Sequence, residues 1–280
     1  LATFYKGRNK LELTKSELDK ALALDPNYGY ALNVIAYVYA DLGQYDKAID
    51  YLTRYANSSP SDVNPIDSMA ELYFRMGNVD EAIAIYKRVL DRKPDFILAF
   101  ASLAYVYAFK EDYANAMSCW DELIARAPSL GLKGSGSFNR SFSLFWLGQF
   151  NQALSDLQRL MEYAGSSGYT EGKASAELLI GLIRGDRGEF EQSRVLLKSW
   201  YDFTSNEIPA SFSDAKAAYL FFLGMTDVKQ GRLDAAKTSL AEMKPLLANI
   251  SPANQAQFAF LYDCLQGEFL LAGGSVEDAV

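Results

Sequence analysis

No histidine occurs anywhere in the 280 residues. That absence removes the Ser-His-Asp triad, the Cys-His pair and the commonest zinc ligand together. Cysteine is nearly missing as well: Cys119 and Cys264 stand alone and far apart, too few for a disulfide framework, so the chain does not advertise an oxidising compartment. No GxxxxGK[ST] loop is present to cradle a phosphate. No apolar run is long enough to span a bilayer. Positive charge is in deficit, with 27 basic against 35 acidic residues and a net charge of −8. The imbalance is even, 18 acidic to 14 basic through residue 130 and 17 to 13 beyond it. Without a cluster of Lys and Arg there is no footprint for nucleic-acid phosphates, and the acidic surface suits basic or apolar partners. The default location is cytoplasmic, with the periplasm open if a leader once preceded Leu1.

What is present is a period. Ala48, Ala82 and Ala116 are each 34 residues apart, as are Tyr39, Tyr73 and Tyr107, and Pro26, Pro60, Pro94 and Pro128 keep the same interval. A fixed period of this length means one supersecondary unit copied and stacked. Within one copy, Leu32, Ile35, Ala36 and Tyr39 lie at the spacing that shares a helical face. Gly43 closes that helix, because a residue without a Cβ ends a helix at least cost. A second helix opens at Tyr45 with Ala48, Leu52 and Tyr55 inward, and Pro60 stops it. The unit is an antiparallel helix pair, and Ala36 and Ala48 are small enough to let its helices approach closely.

These residues resemble the tetratricopeptide repeat (TPR) family. Leu32, Ile35, Ala36, Tyr39, Gly43, Tyr45, Ala48, Leu52 and Pro60 match its pattern, followed by Ile66, Ala70, Tyr73, Gly77, Ala82, Tyr86 and Pro94. A third copy has Phe100, Leu103, Ala104, Tyr107, Tyr113, Ala116, Trp120 and Pro128, with Glu111 where glycine is expected. The resemblance implies an all-α fold, a right-handed superhelical solenoid of antiparallel helix pairs. Regular copies are expected at 29–62, 63–96 and 97–130 after a partial copy at 1–28. Degenerate copies follow at about 134–167, 174–207 and 217–250, with a truncated one at 260–280, all in one continuous solenoid.

Both ends of the chain cut through a copy, so the pattern predicts a piece of a longer protein. Leu1, Tyr5, Leu270 and Val280 are expected to present uncapped apolar faces, through which copies of the chain would self-associate. The segment Gly131–Ser137 reads as a flexible connector that takes up three extra residues, and Gly165–Gly168 as a loop.

The family presents first-helix side chains along a concave groove, and the frame carries over residue by residue. It places Tyr37, Asp67, Glu71, Arg75 and Tyr105 in that groove, and further on Phe138, Phe142, Phe145 and Trp146. The subfamily clamp for chaperone tails needs Lys, Asn, Asn, Lys and Arg, where this chain has Asn33, Tyr37, Ser68, Leu98 and Ser102. That clamp is absent, and Asp67 with Glu71 would repel a carboxylate terminus. Asp46 and Asp50 read as a solvated helix face. Tyr39, Tyr73, Tyr86, Tyr107 and Trp120 are expected in the core. Phe138, Phe142, Phe145 and Trp146 either pack against the next copy or face a ligand.

The expected function is a non-catalytic scaffold for protein–protein interaction, holding a peptide or protein with apolar anchors and at least one basic residue. The alternative is the regulatory or sensory region of a larger bacterial signalling protein, a kinase or transcription regulator. No catalytic residue, metal ligand or cofactor site is expected.

Overall fold

The computed structural model describes residues 11–207, 212–251, 254–275 and 277. Among them are fourteen α-helices, one 3-10 turn at Leu247–Asn249 and no strand. The helices are α1 (Leu11–Leu24), α2 (Gly29–Asp41), α3 (Tyr45–Ser58), α4 (Asn64–Arg75), α5 (Val79–Arg92), α6 (Leu98–Phe109) and α7 (Tyr113–Arg126). They continue as α8 (Leu130–Trp146), α9 (Phe150–Ser167), α10 (Thr170–Asp186), α11 (Phe190–Glu207), α12 (Phe212–Lys229), α13 (Leu233–Leu246) and α14 (Gln255–Ala272). Consecutive helices pack as antiparallel pairs, α2 on α3, α4 on α5, α6 on α7, α10 on α11 and α12 on α13. The chain divides into two units, one through Gly136 and one from Ser137.

The turns explain why each pair closes where it does. Gly43 and Gly77 have φ of 72° and 83°, the left-handed region that glycine enters without strain. Around Gly43 the Gly43 amide donates to Ala40 at 2.9 Å and the Gln44 amide to Tyr39 at 2.8 Å, which satisfies the last carbonyls of α2. Glu111 closes α6 with the same two bonds, from its own amide to Ala108 and from Asp112 to Tyr107, at a φ of 62°. It is the one positive-φ residue other than glycine among the described residues. Each second helix of the first unit stops two residues short of a proline, at Leu24, Ser58, Arg92 and Arg126, because a proline ring disfavours helical geometry in the residue before it. Arg54 and Arg126 then donate to the carbonyls of Pro26 and Pro94 at 3.2 and 3.3 Å, tying each second helix to the turn before its own first helix.

The core of the first unit follows the expected register. Ala36, Ala48, Ala70, Ala82, Ala104 and Ala116 are all fully buried. Tyr86, Tyr107 and Trp120 fill the space between α4, α5, α6 and α7. Tyr39 and Tyr73 are only half-buried. Tyr39 instead stacks on Tyr51, with centroids 5.4 Å apart, at the edge of the cluster.

Two readings of glycine-rich segments are corrected. Gly131–Ser137 is not a connector but the first half of α8. One of its glycines serves close packing: a Cβ on Gly136 would lie 2.2 Å from Leu123 Cδ2 of α7, whereas one on Gly131 would meet nothing within 4 Å. Gly165 likewise lies inside α9, which runs on to Ser167 and ends at Gly168 with φ 72°. Leu1, Tyr5 and Val280 lie outside the described residues, and Leu270 is half-buried on α14.

Two substitutions test this register. Ala82→Trp overfills the α4–α5 crossing and is expected to cost about 1–3 kcal/mol or more. Glu111→Gly relieves a left-handed conformation and is expected to gain about 0.5–1 kcal/mol after glycine's extra unfolded-state entropy is subtracted. Urea unfolding checks both, and an Ala82→Trp protein with the parent midpoint would show the register to be wrong.

Candidate binding surfaces

Because α2 touches α4 and α4 touches α6, equal positions of successive copies become neighbours. Polar side chains 34 residues apart therefore meet. Tyr37 Oη donates to Glu71 Oε2 at 2.7 Å. Arg75 Nη2 pairs with Asp41 Oδ1 at 2.7 Å. Tyr37, Glu71 and Arg75, three of the predicted groove residues, are thus joined in pairs across adjacent first helices.

Asp67 sits one turn before Glu71 and has no such partner. Its Oδ1 is enclosed without a hydrogen-bond donor, and so is Oδ1 of Asn33, which holds the equivalent place one copy earlier. Burial first, and then the neighbouring Glu71, push the Asp67 carboxyl up to about 6. Tyr37 from α2 and Tyr86 from α5 both feel these two acids, and each phenol is raised, chiefly by its own burial. Ser102 of α6 lies beside the Tyr86 hydroxyl. The helices α2, α4 and α6 together carry three carboxylates, Asp41, Asp67 and Glu71, and a single cation, Arg75. Asp41 engages that cation.

Exposed rings stand on α6. Tyr105 is 52% and Phe109 68% exposed. Tyr105 meets the buried Trp120 edge-on at 5.0 Å, and Phe109 meets Phe74 edge-on at 5.2 Å. Trp120 Nε1 is enclosed without an acceptor. The chemistry available here is recognition of donors and apolar groups.

In the second unit, α8 gathers the predicted aromatics. Phe138 stacks on Phe142 at 6.1 Å, and Phe142 meets Trp146 edge-on at 5.9 Å. Phe145 turns to Phe150 at 5.9 Å and is half-buried there. Phe142 and Trp146 remain 37% and 73% exposed. Arg140 of α8 pairs with the buried Asp156 of α9, which ties the two helices together, and Arg159 of α9 engages the same carboxylate. The sequence reading missed a groove between α11 and α13, floored by α12 and lined by Val195, Lys198, Tyr219, Leu223 and Glu242. No sequence signal marks it: Val195 of α11 is exposed there, and an apolar helix residue reads as core in the sequence. Among the described residues no three His, Cys, Asp or Glu side chains gather as metal ligands, and no helix is long and apolar enough to cross a membrane.

Asp67 gives a pH-dependent prediction. Its folded pKa lies above the ordinary value of 3.8, so the folded state holds the proton more tightly and stability is lost as pH rises from about 4 through about 6. Asp67→Asn is expected to be more stable than the parent at pH 7 by about 1–2 kcal/mol, with the difference closing below pH 4. Urea unfolding at the two pH values checks it, and a difference independent of pH would contradict it.

Comparison with known proteins agrees with this geometry. Two family models described as tetratricopeptide repeat match residues 17–50 and 68–130. No curated protein matches the chain. Among solved structures, a tetratricopeptide repeat protein from Parabacteroides merdae is similar with a TM-score of 0.63 and 16% identity, covering 90% of this chain and 89% of that one. The C-terminal part of a TPR repeat-containing protein from Cytophaga hutchinsonii is similar with a TM-score of 0.54 and 13% identity, over 88% and 93% of the two chains. The APC/C hetero-tetramer Cut9–Hcn1 contains a chain similar with a TM-score of 0.57 and 16% identity, over 96% of this chain and 52% of that one. At these identities the likeness is one of fold. Residues 17–50 and 68–130 of this chain thus match models of the tetratricopeptide repeat, and the rest of the chain resembles such proteins in fold.

Proposed function

We propose that this chain is a non-catalytic scaffold that holds a peptide or protein partner on the faces built by its first helices. Tetratricopeptide repeat proteins mediate protein–protein interactions, and stacked helix pairs build long surfaces suited to it. The observation that carries the reading is the open aromatic patch on α8. Phe142 and Trp146 stay exposed while Phe138 and Phe145 stack behind them. Aromatic rings held rigid by their neighbours and left in contact with water are the usual anchors of an interface. Of the two readings open for these rings, Phe145 fits packing, and Phe142 and Trp146 fit a ligand. Each anchor that leaves water on binding is worth on the order of 1.5–3 kcal/mol. The assembled Cut9–Hcn1 relative shows a chain of similar fold in a complex with other chains, which supports the reading by analogy.

Selection of a phage-displayed random dodecapeptide library on the purified chain tests it. Peptides with apolar anchors are expected to be enriched. Their affinity is expected to fall at least tenfold on a Phe142→Ser, Trp146→Ser variant that melts with the parent. If the library yields no binder, or if this equally stable variant binds the enriched peptides as the parent does, the α8 patch is not the anchor site.

A further inference from the structure

We propose that the groove between α11 and α13 is a second docking site, separate from the α8 patch, for a short amphipathic helix of a partner that carries an acidic side chain one turn from its apolar anchor. The groove has a volume of about 690 Å³, within the range of about 300–1,000 Å³ usual for binding clefts. Leu220 and Leu223 of α12 form its floor, and Val195 of α11 and Ala235 of α13 stand on its two walls. Val195 is 69% exposed, so an apolar side chain at the rim is left to water. Along the floor the lining runs from Tyr219 to Asp227, a span of roughly 12 Å at the rise of an α-helix. That length takes about two turns of a partner helix.

The opening has a cause in α13. Three residues after the buried crossing alanine, the regular copies carry Tyr51, Ile85 and Cys119, and α13 carries Ser239. Ile85 and Cys119 are buried and Tyr51 stacks on Tyr39, so larger side chains fill in those copies the space that serine leaves here. Ala235, Thr238, Ser239 and Glu242 line the same wall at helical spacing, and the first three are short enough to let a helix backbone approach. Ser239 is 4% exposed, and its hydroxyl makes no hydrogen bond among the described residues. A buried polar group left unmatched costs free energy, and a partner lying in the groove can supply the missing bond.

Charge selects the partner. Arg194 is bound by Asp227 and Glu191, Lys198 by Asp202, and Lys216 by Glu242. Arg232 is exposed and reaches Asp227 only at 3.8 Å through Nε, on a carboxylate that Arg194 already holds. Its guanidinium fork is therefore open to a second carboxylate. A basic peptide would meet Arg194 and Arg232 and gain no carboxylate that is not already paired. A wholly apolar one would cover the floor and leave Arg232 beside it without a counter-ion.

Selection of a phage-displayed random dodecapeptide library on the Phe142→Ser, Trp146→Ser chain tests this site with the α8 anchors removed. Peptides with Asp or Glu three or four residues from a large apolar residue are expected to be enriched. Synthetic copies are then measured against the parent, Val195→Glu and Arg232→Gln, and with the acidic residue replaced by glutamine. Val195 and Arg232 are exposed, so both variants are expected to melt with the parent. Val195→Glu is expected to weaken binding roughly tenfold or more. Arg232→Gln and the peptide change are each expected to weaken it roughly threefold or more, and together little further, because both remove the same contact. Enriched peptides without an acidic residue, equal affinity for the parent and either variant, or a library that yields no binder on this bait would overturn the site. None of these results bears on the α8 patch, whose anchors are absent from the bait.

Discussion

The close crossing of two helices at a pair of alanines is the constraint on which the first unit depends. Ala36 with Ala48, Ala70 with Ala82 and Ala104 with Ala116 are fully buried in three successive copies. With nothing larger than a methyl group at the crossing, the two backbones lie close. Large residues such as Leu52, Tyr86 and Trp120 then fill the space between pairs. Because the crossing repeats every 34 residues, each copy takes the same geometry as the last. The pairs at Tyr37–Glu71 and Asp41–Arg75 are a direct consequence, since both join residues one period apart.

The same regularity bears on the acceptors that the α2–α4 face leaves unsatisfied. A repeat brings like positions together, so a residue's partner is decided by what the neighbouring copy holds at that position. Tyr37 can donate to Glu71, and Arg75 can neutralise Asp41. Asn33 and Asp67 also occupy like positions, yet their Oδ1 atoms each lack a donor. A carboxylate with no donor, half-buried and next to a second acid, is costly at neutral pH.

Much of this was legible in the sequence because the period does the work that a single helix pattern cannot. The prolines mark the ends of α1, α3, α5 and α7, and Glu111 stands in a glycine position of the repeat, where its φ is 62°. The glycines of 131–136 misled, because flexibility and close packing demand the same residue. Only the 2.2 Å approach to Leu123 separates the two. The groove residues were legible as a set, but their pairing was not. Sequence places Asp67 and Glu71 on one face and says nothing of which one finds a donor. The groove beside Val195 was invisible for a related reason, as it depends on how far α11 stands from α13.

The most direct measurement is a carbon-13 NMR titration of the Asp67 carboxyl in the folded chain. The account predicts a midpoint near 6, because burial and Glu71 act on a carboxylate that no donor relieves. A midpoint at the ordinary 3.8 would mean that Asp67 is solvated or already paired, and the packing described for the α2–α4 face would be wrong.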